Sequence, residues 1–395
     1  MLPFDEALER VLQGVERLGT EWVALRAAAG RVLGEDVRAS EALPRFDYSA
    51  MDGYALDTRA LKAAPSGLPL VGESRAGAPL ERLAPGSACR IFTGAALPAG
   101  ADSVVALEDS RENDGRVEFQ SAPVPGQHIR RRGEDIAAGE LALPAGIRLG
   151  AYHVALAAGL DRVELSVARR PRVTVIGTGD ELRSPGQPGP ATSVPESNGL
   201  AVQILAESTG AHVQLAARVP DEPAALQQRL GAALDTSDVL ITIGGVSVGR
   251  YDLVRPALEA VGAQLDFWQI QIKPGKPLVY GRRGATRILG LPGNPVSAQL
   301  TFSLFGMPLL RALQGQLEPR PRFEFARLLV EMKQRPGRMG FYRARSSSEG
   351  VTPLDNQASG NVVSMAHADA LVVLPAETSH APAGSQVRIL RLGQV

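Results

Sequence analysis

The stretch "DVLITIGGVSVGRYDLVRPALEAVG", residues 238–262, decides how this chain is to be read. Val239 to Ile243 form a run of apolar and β-branched residues that fits a strand buried on both faces. Gly244, Gly245 and Gly249 break that run, and helical spacing begins near Tyr251. A strand that ends on glycines and turns into a helix can present free backbone N–H groups to an anion. Ser247 can add a hydroxyl there. Asp252 stands where it either caps the helix or holds a metal ion beside a bound phosphate.

The same pattern extends in both directions. Before it come a strand closed by glycines, "RVTVIGTGDEL" (172–182), then helix "ESNGLAVQILAESTGA" (196–211), strand "HVQLAARV" (212–219) and helix "EPAALQQRLGAAL" (222–234). After it come strands in "QLDFWQIQI" (264–272), "PLVYG" (277–281) and "RILGLPG" (287–293). A helix, "NPVSAQLTFSLFGMPLLRAL" (294–313), closes the segment. Such alternation over 171–318 predicts an α/β layer fold with a largely parallel sheet. Ligands of such sheets bind at the carboxyl ends of strands, where this sequence puts its glycines. The Pro/Gly loop "RSPGQPGPATSVPES" (183–197) lies beside that end.

The flanks read differently. Phe4, Leu8, Val11, Leu12 and Val15 form the apolar stripe of an amphipathic helix near the N-terminus. Residues 44–131 look β-rich, with runs such as "CRIFTG" (89–94) and "ADSVVAL" (101–107) broken by Gly, Pro and Asn-Asp-Gly. The order predicts a β-rich domain (44–131) inserted into an elongated, discontinuous one (1–43 and 132–170). Residues 319–395 carry short strands and predict a small β barrel or sandwich.

Composition narrows the functions. The 395 residues exceed one ordinary domain and suggest roughly two to four. Lys+Arg and Asp+Glu are equal at 42 each. No basic excess serves nucleic acid or an anionic membrane, so neither is expected as a partner and any anion site must be local. Cys89 is the one cysteine, which excludes an intrachain disulfide, a cysteine-rich zinc site and an Fe–S cluster on Cys ligands alone. The five histidines are scattered, so a metal here would be a hard cation such as Mg²⁺ on carboxylates and phosphate oxygens. The acidic N-terminus does not read as a signal peptide, and no stretch reads as long enough to span a membrane. The expected location is cytoplasmic.

Several motifs can carry chemistry. "IGTGDEL" (176–182) sets Asp180 and Glu181 at a turn tip but lacks the G-x-G-x-x-G spacing of a dinucleotide site. "IKPGKP" (272–277) holds Lys273 and Lys276 around a stiff turn, which suits an oxyanion as well as a solvated surface. "LPGNPVS" (291–297) puts Asn294 at a helix N-cap and Pro295 at the first helical position, which also aims free N–H groups outward. "FDYSAMDGYAL" (46–56), "RIFTGAALP" (90–98) and "RRRGEDI" (130–136) are ordinary turns when taken singly. No G-x-x-x-x-G-K-[ST] loop is present, which weakens the reading as a generic nucleotide phosphotransferase.

In this order, "SAMDGYA", "RIFTGA", "RRRGEDI", "GTGDEL", "GGVSVGRYD", "IKPGKP" and "LPGNPVS" resemble the MoeA/gephyrin E-domain family of molybdenum cofactor enzymes. The resemblance extends to "NQASGNVVSMAHADALVVLP" (356–375) and covers essentially the whole chain. It implies a molybdopterin-binding α/β domain, a C-terminal β barrel, and insertion of molybdate into adenylylated molybdopterin with Mg²⁺ and release of AMP. It also implies a homodimer with a shared cleft, and molybdopterin adenylyltransferase as the upstream partner.

By the resemblance, the catalytic candidates are Asp52, Glu181, Asp252, Lys273 and Lys276. The binding candidates are Thr93, Gly177, Gly179, Asp180, Asp221, Gly244, Gly245, Ser247, Gly249, Pro292, Asn294, Pro295 and Ser359. The metal candidates are Glu181, Asp252 and Asp135. The glycine loops would hold the pterin phosphate and adenylate. The lysines would attract the molybdate dianion, and Asp52 would orient the dithiolene end or a water. Arg250 and "HADA" (367–370) depart from the usual family pattern. A non-catalytic pterin-binding or protein-clustering scaffold of the same fold is the alternative.

Overall fold

The structure is a computed structural model that describes residues 1–64, 66–215, 219, 222–246 and 253–393. The chain divides into two compact units. One comprises Met1–Gly34, Gly146–Leu149 and Glu164–Val395, the other Glu35–Ala145 and Gly150–Val163.

The larger unit is built on a six-stranded sheet in the order His212–Leu215, Arg172–Gly177, Val239–Ile243, Thr286–Leu291, Pro277–Arg283, Gln264–Gln269. The first four strands are parallel, as alternation with helices demands. The last two are antiparallel, so the sheet is mixed rather than largely parallel throughout. Residues 284–285 are too short a link for a crossover, and Gly284, at φ +59°, makes the hairpin turn.

Val239–Ile243 is buried at every position. Val239, Ile241 and Ile243 pack on one face with Phe4, Leu8, Val11, Phe302 and Phe305. Leu240 packs on the other face with Leu226, Leu230, Leu258 and Ile288. A buried strand that is apolar at every position but Thr242 turns alternate side chains to opposite faces and so fills two cores at once.

The amphipathic stripe at the N-terminus forms the helix Phe4–Leu12, which shares the first of these cores. Of the stretch 294–313, Pro295–Leu313 is helical throughout, with a π-helical turn at Phe302–Gly306. The expectation about membrane-spanning length is corrected here. Pro295–Leu313, 19 residues, is long and apolar enough to cross a membrane by length and composition, and 78% of its apolar window is buried inside the protein. A helix apolar on all sides is what the centre of a core requires.

The C-terminal strands form a second mixed sheet, in the order Ile272–Lys273, Met339–Ser346, Ala370–Leu374, Gln386–Arg391, Glu324–Arg327. Val351–Pro353 pairs with Met339–Ser346.

The smaller unit holds its own six-stranded sheet, in which Gly53–Leu56 lies between Ser103–Ala106 and Ala88–Ile91. Gly53 is required by a close approach of backbones. A Cβ there would lie 1.9 Å from the Val105 carbonyl oxygen.

Candidate functional site

At the carboxyl ends of the central strands of the larger unit, a cavity of about 310 Å³ opens among the glycine turns. Thr178, Gly179 and Glu181 line it from the first turn and Gly244 and Gly245 from the second, with Pro292, Gly293 and Asn294 ahead of the buried helix. Gly177 is buried below, where the strand Arg172–Gly177 ends, while Asp180 and Glu181 are exposed at the turn tip. Glycine is needed at the second turn because Gly244 and Gly245 have φ of +90° and +61°. A Cβ on Gly244 would also meet the Thr178 carbonyl oxygen at 2.8 Å. The Gly244 N–H is spent on the Leu291 carbonyl, at 3.1 Å, so it is not one of the free donors the sequence suggested.

Asn294 occupies the N-cap position of Pro295–Thr301 as expected, yet its side chain makes no capping bond. It lines the cavity instead. Glu196 and Asn198 also line this space. Neither was singled out from the sequence. Both sit at the end of the Pro/Gly loop, where they read as the approach to a helix.

A second cavity, of about 610 Å³, shares Pro277 and Asn294 with the first. Its lining includes Lys273, Lys276, Ser297, Arg338, Gln357 and Ser359. The two differ sharply in charge. Among the described residues, the glycine-lined cavity has two carboxylates, Glu181 and Glu196, and no cation. Its neighbour has three cations, Lys273, Lys276 and Arg338, and no carboxylate.

Ser359 reaches this place from the C-terminal sheet, more than eighty residues after Lys276 in the chain. Its carbonyl accepts from the Val296 N–H at 3.1 Å, which ties its loop to the buried helix. Arg343, wholly buried, holds the loop from behind. Its Nη2 donates to the carbonyls of Asn356 and Ala358, both at 3.1 Å, and its Nε donates to Ser364 Oγ at 2.9 Å. Burial pushes the Arg343 guanidinium pKa down from its usual value. Sequence reading passed over Arg343 because an arginine within a strand carries no sign of burial.

The smaller unit brings two other candidates together. Asp52 Oδ1 accepts from the Thr93 N–H at 2.7 Å and from Thr93 Oγ1 at 2.8 Å. These bonds, the backbone one first, hold the Asp52 carboxyl below the usual carboxylate range. Asp135 pairs with Arg130 in the same unit. Asp221, Ser247, Gly249 and Asp252 lie outside the described residues. Among the described residues, no group of three or more His, Cys, Asp and Glu side chains could hold a metal ion by itself.

A mixed α/β sheet with glycine turns and a lysine-lined cavity at its strand ends defines a protein built to bind an anionic ligand there. Comparison with known families makes this particular. The MoeA N-terminal region (domain I and II) matches residues 2–160, a probable molybdopterin binding domain matches 174–312, and the MoeA C-terminal region (domain IV) matches 326–392. The chain is 36% identical to the molybdopterin molybdenumtransferase of Haemophilus influenzae, with 98% of each chain covered. It is 31% identical to gephyrin of Dictyostelium discoideum, covering all of this chain and 63% of gephyrin. The crystal structure of the molybdopterin biosynthesis moeA protein from Pyrococcus horikoshii OT3 superimposes with a TM-score of 0.88 at 26% identity. That match covers 99% of this chain and 100% of the other. The chain belongs to the MoeA/gephyrin family of molybdopterin molybdenumtransferases.

Proposed function

We propose that this chain catalyses the insertion of molybdate into adenylylated molybdopterin, with release of AMP, in molybdenum cofactor biosynthesis. The observation that carries the reading is the pair of adjoining cavities at the strand ends whose described side chains carry opposite charge. One substrate is a small tetrahedral dianion. The other is a large molecule with a donor-rich heterocycle at one end and a phosphoanhydride further along. A basic cavity beside an acidic one suits that pair.

Lys273, Lys276 and Arg338 hold the molybdate and stabilise the charge that develops as the phosphoanhydride breaks. Ser297 and Ser359 supply hydroxyls on the same wall. The glycine turns let the phosphate chain approach the backbone closely. Mg²⁺ characteristically takes one or two carboxylates and completes its shell with waters and substrate phosphates. Glu181, exposed at the mouth of the acidic cavity, fits that role, and the ion would neutralise phosphate charge there.

We read the C-terminal strands as a barrel, supported by the isolated bridge from Leu328 to Val351 beside the main sheet pairings. The assembly is a homodimer in which Asp52, oriented by Thr93, serves the cleft of the partner protomer. Molybdopterin adenylyltransferase supplies the substrate, and the setting is cytoplasmic.

The test is AMP release from adenylylated molybdopterin by the purified chain, with and without molybdate. Molybdate-dependent release is expected. Pterin binding without any molybdate-dependent release would favour the scaffold alternative.

A further inference from the structure

Glu196 and Asn198 line the acidic cavity, and their bonds leave two oxygens, Glu196 Oε2 and Asn198 Oδ1, without a donor among the described residues. Glu196 Oε1 accepts from the Gly199 N–H at 2.6 Å, and its own N–H donates to the Arg183 carbonyl at 2.7 Å. Among the described residues, none donates to Oε2. Gly199 makes room for this carboxylate, because a Cβ there would lie 3.0 Å from Glu196 Oε2 and 2.9 Å from Leu215 Cδ1. Asn198 Nδ2 donates to the Gly293 carbonyl at 2.8 Å, which fixes the amide. Its Oδ1 is shielded from solvent and has no hydrogen-bond partner among the described residues. A buried acceptor without a donor is costly in the free protein and marks a place where a ligand donor belongs.

A cation is one candidate for such oxygens. That role falls to Glu181 at the cavity mouth, where Mg²⁺ needs only one or two carboxylates beside substrate phosphates. A heterocycle edge with adjacent N–H donors fits better. A carboxylate accepts two parallel N–H bonds from one planar edge, as it does from a guanidinium, and the amide oxygen takes a third. The 2-amino-4-oxo pyrimidine edge of a pterin offers N3–H and the 2-amino group side by side. Adenine offers a single amino group flanked by two acceptors, which would face the acceptors of this wall.

We propose that Glu196 and Asn198 are the residues that recognise the 2-amino-pyrimidinone edge of the pterin, which places the pterin end of the substrate in the acidic cavity. This rests on the function proposed above. It deepens that reading by naming which end of the substrate is read, and by which residues.

The test uses fragments and the full chain, so that it stands apart from turnover. Binding of 6-hydroxymethylpterin, of its 2-oxo counterpart 6-hydroxymethyllumazine and of AMP is measured by fluorescence titration or calorimetry. The wild-type chain is expected to prefer the pterin over the lumazine by at least ~10-fold, because the lumazine replaces a donor by an acceptor facing a carboxylate. Glu196→Gln keeps the side-chain shape and its bond from Gly199, but turns an amide NH₂ toward the ligand. It should shrink that preference to within ~3-fold and leave AMP binding within ~2-fold. Equal wild-type affinity for the two heterocycles would overturn the proposal without any variant being made. So would a Glu196→Gln chain that keeps the preference, or one that loses AMP and pterin alike. A loss of Mg²⁺ affinity with the preference intact would assign the oxygens to a cation and overturn it equally. Molybdate-dependent AMP release by the wild-type chain checks the function itself and can fail or succeed independently.

Discussion

Replacing both Lys273 and Lys276 by alanine should raise the molybdate requirement far more than it weakens pterin binding. Both lysines are exposed on the wall of the basic cavity, held by the turn at Gly275. That turn is fixed, because Gly275 has a φ of +105° and a Cβ would lie 2.6 Å from Thr301 Cγ2. Two unit charges about 4 Å apart in water interact by about 1 kcal/mol. A lysine beside a dianion therefore contributes about 2 kcal/mol, and the pair about 4. Screening at ~0.15 M salt leaves somewhat over half of this, about 2–3 kcal/mol. The molybdate concentration for half-maximal AMP release should rise ~30- to 150-fold. Arg338 remains in the cavity, so activity should be recoverable at high molybdate. Lower ionic strength should widen the gap between the wild-type and double-alanine chains. Molybdate titrations of AMP release at two salt concentrations, beside pterin-fragment binding, decide the matter. A shift under ~3-fold, or an equal loss of pterin affinity, would refute the reasoning.

Other expectations follow from the same geometry. Gly53→Ala should cost about 3 kcal/mol or more, because the added carbon lies 1.9 Å from a backbone oxygen that cannot turn aside; a loss under ~1 kcal/mol in denaturant unfolding would contradict the close approach. Thr93→Val should raise the Asp52 pKa part of the way back, since the Thr93 N–H and then its hydroxyl hold it below the usual carboxylate range and only the hydroxyl is lost; carboxylate chemical shifts followed against pH would show it. Since the folded-state value is depressed, the stability Asp52 contributes is present above its unfolded pKa and lost as pH falls through the folded one. The Thr93→Val chain should accordingly lose less on acidification below about pH 4. Mixing Asp52→Ala chains with Glu181→Ala chains should restore up to about half of a wild-type dimer's activity per heterodimer, since C₂ symmetry leaves one cleft with neither lesion; heterodimers confirmed by native mass spectrometry without recovery would count against a shared cleft.

The elements and the kind of chemistry at their ends are legible in the order of residues alone. The apolar, β-branched run of Val239–Ile243 and the helical spacing in 222–234 are local properties, set by which side chains a pleat or a helix turns to each face. Gly244, Gly245 and Gly275 are equally legible, because a positive φ restricts residue choice wherever the chain ends up. The ordered motifs carried the family for the same reason.

How that chemistry is divided between two cavities depends on packing between distant segments. That Pro277–Arg283 returns antiparallel to its neighbour, making the sheet mixed, depends on which strands the connections bring together. Lys273 and Ser359 share one cavity and Glu181 and Glu196 another through packing between distant segments. Arg343 looks like any surface arginine until the loop 356–359 closes over it and its carbonyls replace water. Asn198 reads as a residue entering a helix. Its unpaired oxygen becomes informative once the Gly293 carbonyl has fixed the amide and burial has removed solvent from the other side. A side chain's charge and hydrogen-bonding capacity are written in the sequence, but what remains unsatisfied depends on every neighbour at once.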